Sequence, residues 1–396
     1  MIYLIVVAIV YLMEQKELRS STYYYASLFS ATTRDLSVVA QEQRNLLCES
    51  CRQVVEQTPL ISLEWLNVSN GEHPHKMALD EAGNGPFRYN VKRLRENPPP
   101  YIHNQTLCNV VDRENQALVR IQIASSTSSS SSSKLLCAVY ASQEFHSNVQ
   151  FIRETWGPQC DGFFVGSDAT DPNFDAVHVP HFGPEVYQNM FHKVRSLWSY
   201  IYHNYYDDYA WFHLGGDDML LIVPNLRQYL DSEEIRTAGS WNRTHQVPLF
   251  LGLQVHANGH KDHHYVTGGP GYTINKAALK ILVTQAFTKS AGRWSSAEDY
   301  HVSRAFLNLK VAPYPTNDAV TGQERYHHFP PGRVSEPYIK SMPFWFRKAS
   351  RLLNRSQSGP EYCHPYSVAF HYVKGLEMKR LHAILYNQCG NSATEV

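Results

Sequence analysis

The stretch Ala210–Leu221 reads Ala-Trp-Phe-His-Leu-Gly-Gly-Asp-Asp-Met-Leu-Leu and predicts a buried strand that ends beside two acids. The apolar run Ala210–Leu214 has the length of a strand in a covered sheet, and it is followed by two glycines, Asp217 and Asp218. Ligands of open α/β sheets bind beyond the carboxyl ends of such strands. Two adjacent carboxylates repel each other, and a divalent cation relieves that repulsion. The stretch therefore predicts a ligand site with a cation, although a turn with helix-capping acids would show the same pattern.

Strands and helices are predicted to alternate on the amino-terminal side of this stretch. The expected elements are strands at Leu135–Tyr140, Gly162–Val165 and Asp175–Val179 and helices at Asn148–Trp156 and Pro184–Asn204. This alternation implies an α/β fold with a parallel or mixed sheet that is covered on both faces. The chain has no Walker loop, no G-x-S-x-G elbow and no correctly spaced G-x-G-x-x-G motif, so a dinucleotide-binding fold is rejected.

The residues before Lys134 differ in character from those that follow. The run Ser125–Ser133 is nearly pure serine, which cannot bury a core and predicts a flexible linker. We therefore expect a stem region at 14–133 that ends in this linker, followed by the main domain at 134–396.

The first residues predict a membrane-held protein of the secretory pathway. Met1–Met13 is apolar but shorter than the roughly 20 residues that a spanning helix needs. A signal anchor at 1–13 that is truncated in this sequence is favoured over a cleaved signal peptide, because no A-x-A cleavage site follows. Four N-x-S/T sequons support a luminal location: Asn67, Asn104, Asn242 and Asn354.

Charge and cysteine content exclude some classes of function. The 36 basic and 36 acidic residues balance, whereas a nucleic-acid binder needs a basic surplus. The seven cysteines are odd in number, so at least one has no partner within the chain. Cys48 and Cys51 form a lone C-x-x-C without a second ligand pair, and neither a redox nor a zinc site is predicted there. The pairing of Cys137 and Cys160 is left open.

Three later stretches contain candidate site residues. Tyr265–Leu279 holds glycines that allow a close approach to a ligand, and Asn275 is suited to cap the helix that follows. Ser295–Asp299 places two acids at a predicted helix start, where they stabilise the helix dipole or hold a general base. Phe370–Val373 contains a histidine in a predicted apolar strand, which is either a core residue or a metal ligand.

Together these pieces resemble the core 1 β-1,3-galactosyltransferase branch of the inverting β-1,3-glycosyltransferases. The resemblance covers Leu135–Leu385 and rests on the order and spacing of short motifs. They are Leu136-Cys137, Arg153-Glu154-Thr155-Trp156 with Cys160, Lys193, Trp211-Phe212, Asp217-Asp218, Gly268-Gly269-x-Gly271-Tyr272, Glu298-Asp299, Gly322-x-Glu324 with His327, and Phe370-His371-Tyr372-Val373.

The resemblance implies a GT-A fold, which has a Rossmann-like mixed sheet with helices on both faces, preceded here by the stem. It also implies a UDP-galactose donor and a Mn²⁺ ion. By position, Asp218 and His371 correspond to the metal ligands and Asp299 to the catalytic base. The expected donor-binding residues are Asp217, Asp218, Lys193, Gly268 and Gly269.

On the acceptor side the resemblance implies roles for Glu298 and Trp345. Trp294 and Tyr300 are predicted from the residues alone, because aromatic rings near the base are suited to stack on a sugar.

The chemistry of a UDP-sugar agrees with these residue types. A diphosphate needs a hard cation with oxygen ligands, and a histidine ligand shifts the preference towards Mn²⁺. The acceptor hydroxyl has a very high pKa and must lose its proton to a base such as Asp299. One departure stands out, because the family motif is usually Asp-Asp-Asp and this chain has Gly216 at the first position.

We therefore predict transfer of galactose to the 3-hydroxyl of protein-linked N-acetylgalactosamine by a single-pass type II protein of the Golgi membrane. The expected partners are the UDP-sugar donor, a glycoprotein or glycopeptide acceptor, the membrane through the anchor and a second copy in a homodimer. Nucleic acid is not expected. The alternatives are another UDP-sugar and a non-catalytic chaperone or glycan-binding protein. Gly216 favours the non-catalytic alternative, whereas the joint presence of Asp218, Asp299 and His371 opposes it.

Overall fold

The computed structural model describes residues 120–125, 133–240, 246–256, 264–289, 294–331 and 362–386. The predicted anchor, most of the predicted stem, the four sequons, the C-x-x-C pair and Trp345 lie outside these residues. Within the described part, no helix is both long and apolar enough to cross a membrane.

The secondary structure alternates as the sequence predicts. The strands are β1 (Leu135–Tyr140), β2 (Gly162–Ser167), β3 (Ala176–His178), β4 (Trp211–Gly216), β5 (Leu220–Leu221), β6 (Phe250–Leu251), β7 (Gln254–His256), β8 (His264–Val266), β9 (Tyr272–Asn275), β10 (Tyr326–His327) and β11 (Ala369–Phe370). The main helices are α1 (His146–Arg153), α2 (Met190–Tyr205), α3 (Val223–Leu230), α4 (Glu233–Ala238), α5 (Lys276–Ile281), α6 (Glu298–Asn308) and α7 (Leu376–Leu385). A π-helical turn, Leu282–Ala286, and a short helix, Phe287–Lys289, continue α5.

The main sheet is mixed, with the strand order β3-β2-β1-β4-β9-β6. The first four strands in this order pair in parallel, whereas β9 pairs antiparallel with both β4 and β6. Tyr140 is opposite Gly166 on one side and Gly216 on the other, so β1, β2 and β4 end at the same edge. The strand β4 extends two residues beyond the predicted Leu214, because the end of β1 pairs with both of its glycines.

Helices cover both faces of this sheet. Alternate residues of β1 point to opposite faces, as the period of a strand requires: Cys137 lies in one core and Ala138 in the other. The first core is completed by α1, α3 and α7, and the second by α2, α5 and α6. A disulfide joins Cys137 to Cys160 in the first core, which settles a pairing that the sequence leaves open.

A small second sheet places the carboxyl-terminal part of the chain beside the residues that follow β4. Its order is β10-β11-β5, and Phe370 of β11 is opposite Leu220 of β5. Beyond β11, the Val373 amide donates a hydrogen bond of 2.8 Å to the Asp218 carbonyl. The prediction that His371 lies inside a strand was wrong, because β11 ends at Phe370 and Tyr372 has a left-handed φ of 58°.

Two predictions for helices can be compared directly with the structure. The Asn275 side chain accepts a 2.9 Å hydrogen bond from the Ala278 amide, which confirms the predicted cap of α5. The helix α2 begins later than predicted, at Met190 rather than at Pro184. A 3₁₀ turn at Tyr187–Asn189 leads into α2, and the Asn189 side chain donates to the Phe182 and Pro184 carbonyls, which hold that part of the chain outside the helix.

Candidate active site

The end of β4 presents two acids with different surroundings. Asp217 is tied to α1, because the Asn148 amide nitrogen donates a hydrogen bond of 2.8 Å to its Oδ2. Burial raises the pKa of Asp217, and the neighbouring Asp218 charge adds to that rise. The Asp218 side chain is about a quarter exposed, and its Oδ1 lies 3.5 Å from Nε2 of His371. Asp218 is therefore the acid of the pair that faces the histidine.

The His371 ring is held by aromatic contacts and by a glycine. It stacks on Tyr372 with 3.7 Å between ring centroids, and His328 meets it edge-on at 5.2 Å. A Cβ atom on Gly269 would lie only 2.2 Å from Nδ1 of His371, so no other residue type leaves room for the ring. Among the described residues this buried Nδ1 has no hydrogen-bond partner. The ring thus points its Nε2 towards Asp218 without a competing hydrogen bond at its other nitrogen.

Asp218 and His371 fit a divalent cation with incomplete protein ligation. Ligand bonds of about 2.0–2.2 Å are compatible with two adjacent ligands about 3–3.5 Å apart, and the observed separation is 3.5 Å. One carboxylate and one imidazole are ligands that suit Mn²⁺. Within the described ranges, no group of three or more His, Cys, Asp or Glu residues is arranged to hold a metal. A cation held here would therefore need further oxygens from its ligand, which a diphosphate has.

A second pair of acids begins α6. Glu298 is buried, and its Oε2 accepts a 3.0 Å hydrogen bond from the Tyr272 hydroxyl. Burial raises the pKa of Glu298 well above its usual range, and the Asp299 charge adds to that rise. Glu298 is therefore the acid of the pair that is bound to a neighbouring side chain, whereas Asp299 is the candidate for proton transfer.

Asp299 is held by backbone amides. Its Oδ2 accepts a hydrogen bond of 2.8 Å from Gly268, and its Oδ1 accepts one of 2.7 Å from Tyr300. Burial raises the pKa of Asp299, while these amides and the His371 ring oppose the rise. A carboxylate whose pKa is raised by burial and whose oxygens are held by backbone amides is suited to accept a proton.

A single turn of glycines lies between the two acid sites. The Gly271 amide donates to the Gly268 carbonyl at 2.8 Å, and Gly271 has a left-handed φ of 69°. A Cβ atom on Gly268 would meet Glu298 Oε1 at 2.3 Å, just as one on Gly269 would meet His371. The two glycines were predicted to contact the donor. The structure shows that they make room for Glu298 and His371, which places the histidine and the base against the same turn.

Lys193 lies beside the end of β1 rather than against the acids of β4. Its Nζ donates a 2.6 Å hydrogen bond to the Ala141 carbonyl and forms an ion pair with Glu185. Its predicted contact with a donor remains a prediction.

The two aromatic side chains predicted for the acceptor side differ in exposure. Trp294 is 52% exposed, and its ring packs where Gly183 leaves space. Tyr300 is half-buried, with its ring edge-on to Tyr265 at 5.8 Å. Both lie near the start of α6 in the chain.

The sequence did not reveal several residues of this region. Asn148, Tyr272 and His328 contact the predicted site residues, and Tyr140 packs over Gly216. Two of them had a signal in the sequence: Tyr140 ends the predicted first strand, and Tyr272 belongs to the glycine motif that carries the family resemblance.

Comparison with known proteins places this fold and site in a family. A family model described as Fringe-like matches residues 130–350, which is more than half of the chain. The chain belongs to the Fringe-like family. This membership confirms the predicted GT-A fold, and it matches the mixed sheet and the two helical layers.

A relative supports the resemblance to the core 1 branch within this family. The Xenopus laevis protein "Glycoprotein-N-acetylgalactosamine 3-beta-galactosyltransferase 1" is 24% identical over 237 residues, which are 60% of this chain and 61% of that protein. The match thus spans about three fifths of the relative's length. It supports the predicted branch at a modest identity.

Proposed function

We propose that this Fringe-like protein is an inverting glycosyltransferase that moves galactose from UDP-galactose to the 3-hydroxyl of protein-linked N-acetylgalactosamine. The observation that supports it most is the 3.5 Å approach of Asp218 to His371, with Asp299 held by the amide of the adjoining glycine turn. The galactose donor and the acceptor are suggested by the name of the Xenopus relative and by the resemblance in sequence.

On this proposal Asp218 and His371 would hold Mn²⁺. The ion would act as a Lewis acid that stabilises negative charge on the departing UDP. The protein residues orient the two substrates and exclude water between them. Asp217, which is tied to Asn148, keeps the end of β4 in place for this task.

Asp299 performs the proton transfer in the proposed reaction. The acceptor hydroxyl passes its proton to Asp299, its oxygen forms a bond to the anomeric carbon, and the bond from that carbon to the UDP oxygen breaks. Direct displacement inverts the anomeric centre. Glu298, whose pKa is raised by burial, accepts the hydrogen bond of Tyr272 and stabilises the start of α6, so the two neighbouring acids have separate tasks.

The test is release of UDP from UDP-galactose with a peptide that carries N-acetylgalactosamine, with and without Mn²⁺. We expect release that depends on both the acceptor and the ion and a β-1,3-linked product. Parallel reactions with other UDP-sugars identify the donor. Tight binding of the glycopeptide without any UDP release from any donor would contradict the enzyme and favour the glycan-binding alternative.

We also propose that the protein resides in the Golgi lumen as a type II membrane protein. The support is the apolar run Met1–Met13 together with the four sequons. Removal of N-linked glycans from the protein made in animal cells should increase its mobility on a gel. Unchanged mobility with a cytosolic distribution would contradict this location.

A further inference from the structure

Tyr140 ends the central strand β1 at the edge where the candidate site lies. Its strand neighbour in β4 is Gly216, the residue just before the acid pair. A Cβ atom built on Gly216 would lie 3.3 Å from Cε2 and 3.6 Å from Cζ of the Tyr140 ring. The ring therefore occupies the space into which a side chain at position 216 would project.

The Cβ position of Gly216 also relates the Tyr140 hydroxyl to Asp218. The Cβ position of Gly216 is also only 3.1 Å from Oδ1 of Asp218. Because Cζ carries the hydroxyl, the polar end of the Tyr140 ring lies beside the Asp218 carboxylate. The rest of the ring packs against the core that α2 and α6 cover, which fixes its orientation.

The Tyr140 hydroxyl is available to a ligand. Among the described residues it has no hydrogen-bond partner, and the side chain is partly exposed. Burial raises the pKa of Tyr140 well above its usual range, and the charges of Glu298, Asp218 and Asp299 raise it further. The group is thus a neutral hydroxyl among acids, and it can donate a hydrogen bond to an oxygen without adding charge.

We propose that Tyr140 is a donor-binding residue whose hydroxyl donates to an oxygen of the nucleotide sugar held at Asp218, and that Gly216 lets the ring and the carboxylate lie close together. This inference rests on the proposed function, because it takes the ligand to be a nucleoside diphosphate sugar. Tyr140 can donate a hydrogen bond to a phosphate or sugar oxygen. Asp217 and Asp218 cannot make this contact when ionised, since carboxylates only accept hydrogen bonds and repel phosphate oxygens.

The test compares Tyr140→Phe with the wild-type protein. Phenylalanine keeps the ring and removes only the hydroxyl. We expect the dissociation constants of UDP and UDP-galactose with Mn²⁺, measured by calorimetry, to rise roughly 2- to 10-fold, as expected for the loss of one hydrogen bond. KM for the donor should rise by a similar factor with little change in kcat. Tyr202→Phe, on the partly exposed side of α2, is the matched control and should leave both constants unchanged.

The second half of the proposal concerns the coupling between the two positions. Gly216→Ala places a methyl group 3.1 Å from Asp218 Oδ1 and 3.3 Å from the Tyr140 ring, so the carboxylate and the ring must each shift slightly. Donor binding should therefore weaken in Gly216→Ala. The part of that loss that acts through the Tyr140 hydroxyl should be absent in a Tyr140→Phe background, so the same change should add less there. Fully additive losses in this double-mutant cycle would overturn the coupling.

The outcomes separate this inference from the proposed function. If the wild-type protein binds neither UDP nor UDP-galactose with Mn²⁺, both are overturned. If it binds them and Tyr140→Phe binds equally well, only the assignment of Tyr140 is overturned. Thermal melting of each variant shows that the fold is retained, and a variant with normal melting and weakened donor binding supports the assignment.

Discussion

The acids at the end of β4 and those at the start of α6 form two similar pairs with different environments. In each pair one acid is bound to a neutral side chain: Asp217 to Asn148 and Glu298 to Tyr272. The other acid of each pair has a different environment. Asp218 faces the His371 ring, whereas Asp299 accepts two backbone hydrogen bonds.

The difference between Asp218 and Asp299 shows how two identical carboxylates acquire different chemistry. Asp218 has an imidazole nitrogen across from it and would share a cation with it, so its task depends on a second ligand. Asp299 is held in position by amides alone, and its task depends on its proton affinity. Adjacent residues reach these environments because successive side chains point in different directions from a strand end or a helix start.

The largest expected effect comes from a change to Asp299. Asp299→Asn keeps the shape and loses the proton acceptor, so turnover at saturating donor should fall about 10²–10⁴-fold, the usual contribution of a general base. Glu298→Gln is the matched change one residue earlier, and it should cost far less because Glu298 accepts no proton in the reaction. UDP affinity is the control and should be similar in both variants. Equal losses in the two variants would show that the acids act only through the helix.

The second effect concerns Asp218 and His371. His371→Ala and Asp218→Asn should each raise the Mn²⁺ concentration needed for UDP binding by at least about 10- to 100-fold. Even the loss of an outer-shell partner usually costs that much metal affinity. Asp217→Asn is the control from the same pair, and we expect a smaller effect because Asp217 is bound to Asn148. The measurement is a Mn²⁺ titration of UDP binding. An unchanged titration in His371→Ala would remove the histidine from the metal site.

The third effect tests the glycine turn that lies between the pairs. The added methyl group of Gly269→Ala would be 2.2 Å from His371 Nδ1, so the ring must move. Such overpacking costs about 1–3 kcal/mol of stability, and the displaced ring should also bind Mn²⁺ more weakly. Gly239→Ala is the control away from the site, because its nearest contacts would be 3.3 Å and need only a slight shift of the neighbours, against 2.2 Å at Gly269. Normal Mn²⁺ binding in Gly269→Ala would mean that the ring position does not matter.

The sequence predicted those parts of this arrangement that depend on local patterns. The strand β1, the acids at the start of α6 and the Asn275 cap all follow from residues near one another in the chain. The approach of His371 to Asp218 was predicted only through the family resemblance, because more than a hundred residues separate them.

Contacts between distant segments could not be predicted from local patterns. The contact of Tyr140 with Gly216 depends on the register between β1 and β4. The fit of His371 against Gly269 depends on where the second sheet ends, and the sequence placed that end too late. Neither the register nor the strand end has a local signal, because both are set by packing across the domain.

The smallest expected effect is a change in how stability depends on pH, and it tests whether Glu298 is the protonated acid of its pair. Burial raises its folded pKa above the ordinary value of 4.5, so the folded chain holds this proton more tightly than the unfolded chain does. Its stabilising contribution is therefore present below the unfolded pKa and is lost as the pH rises through the folded pKa. Glutamine cannot titrate, so Glu298→Gln should gain stability relative to the wild type as the pH rises from about 4.5 towards neutrality. The measurement is the difference in melting temperature across this range in metal-free buffer, with Glu144→Gln at an exposed position as the control for removing one charge. If the melting temperature of Glu298→Gln instead fell relative to that of the wild type as the pH rises, Glu298 would be ionised in the folded protein. The division of tasks between Glu298 and Asp299 would then be wrong.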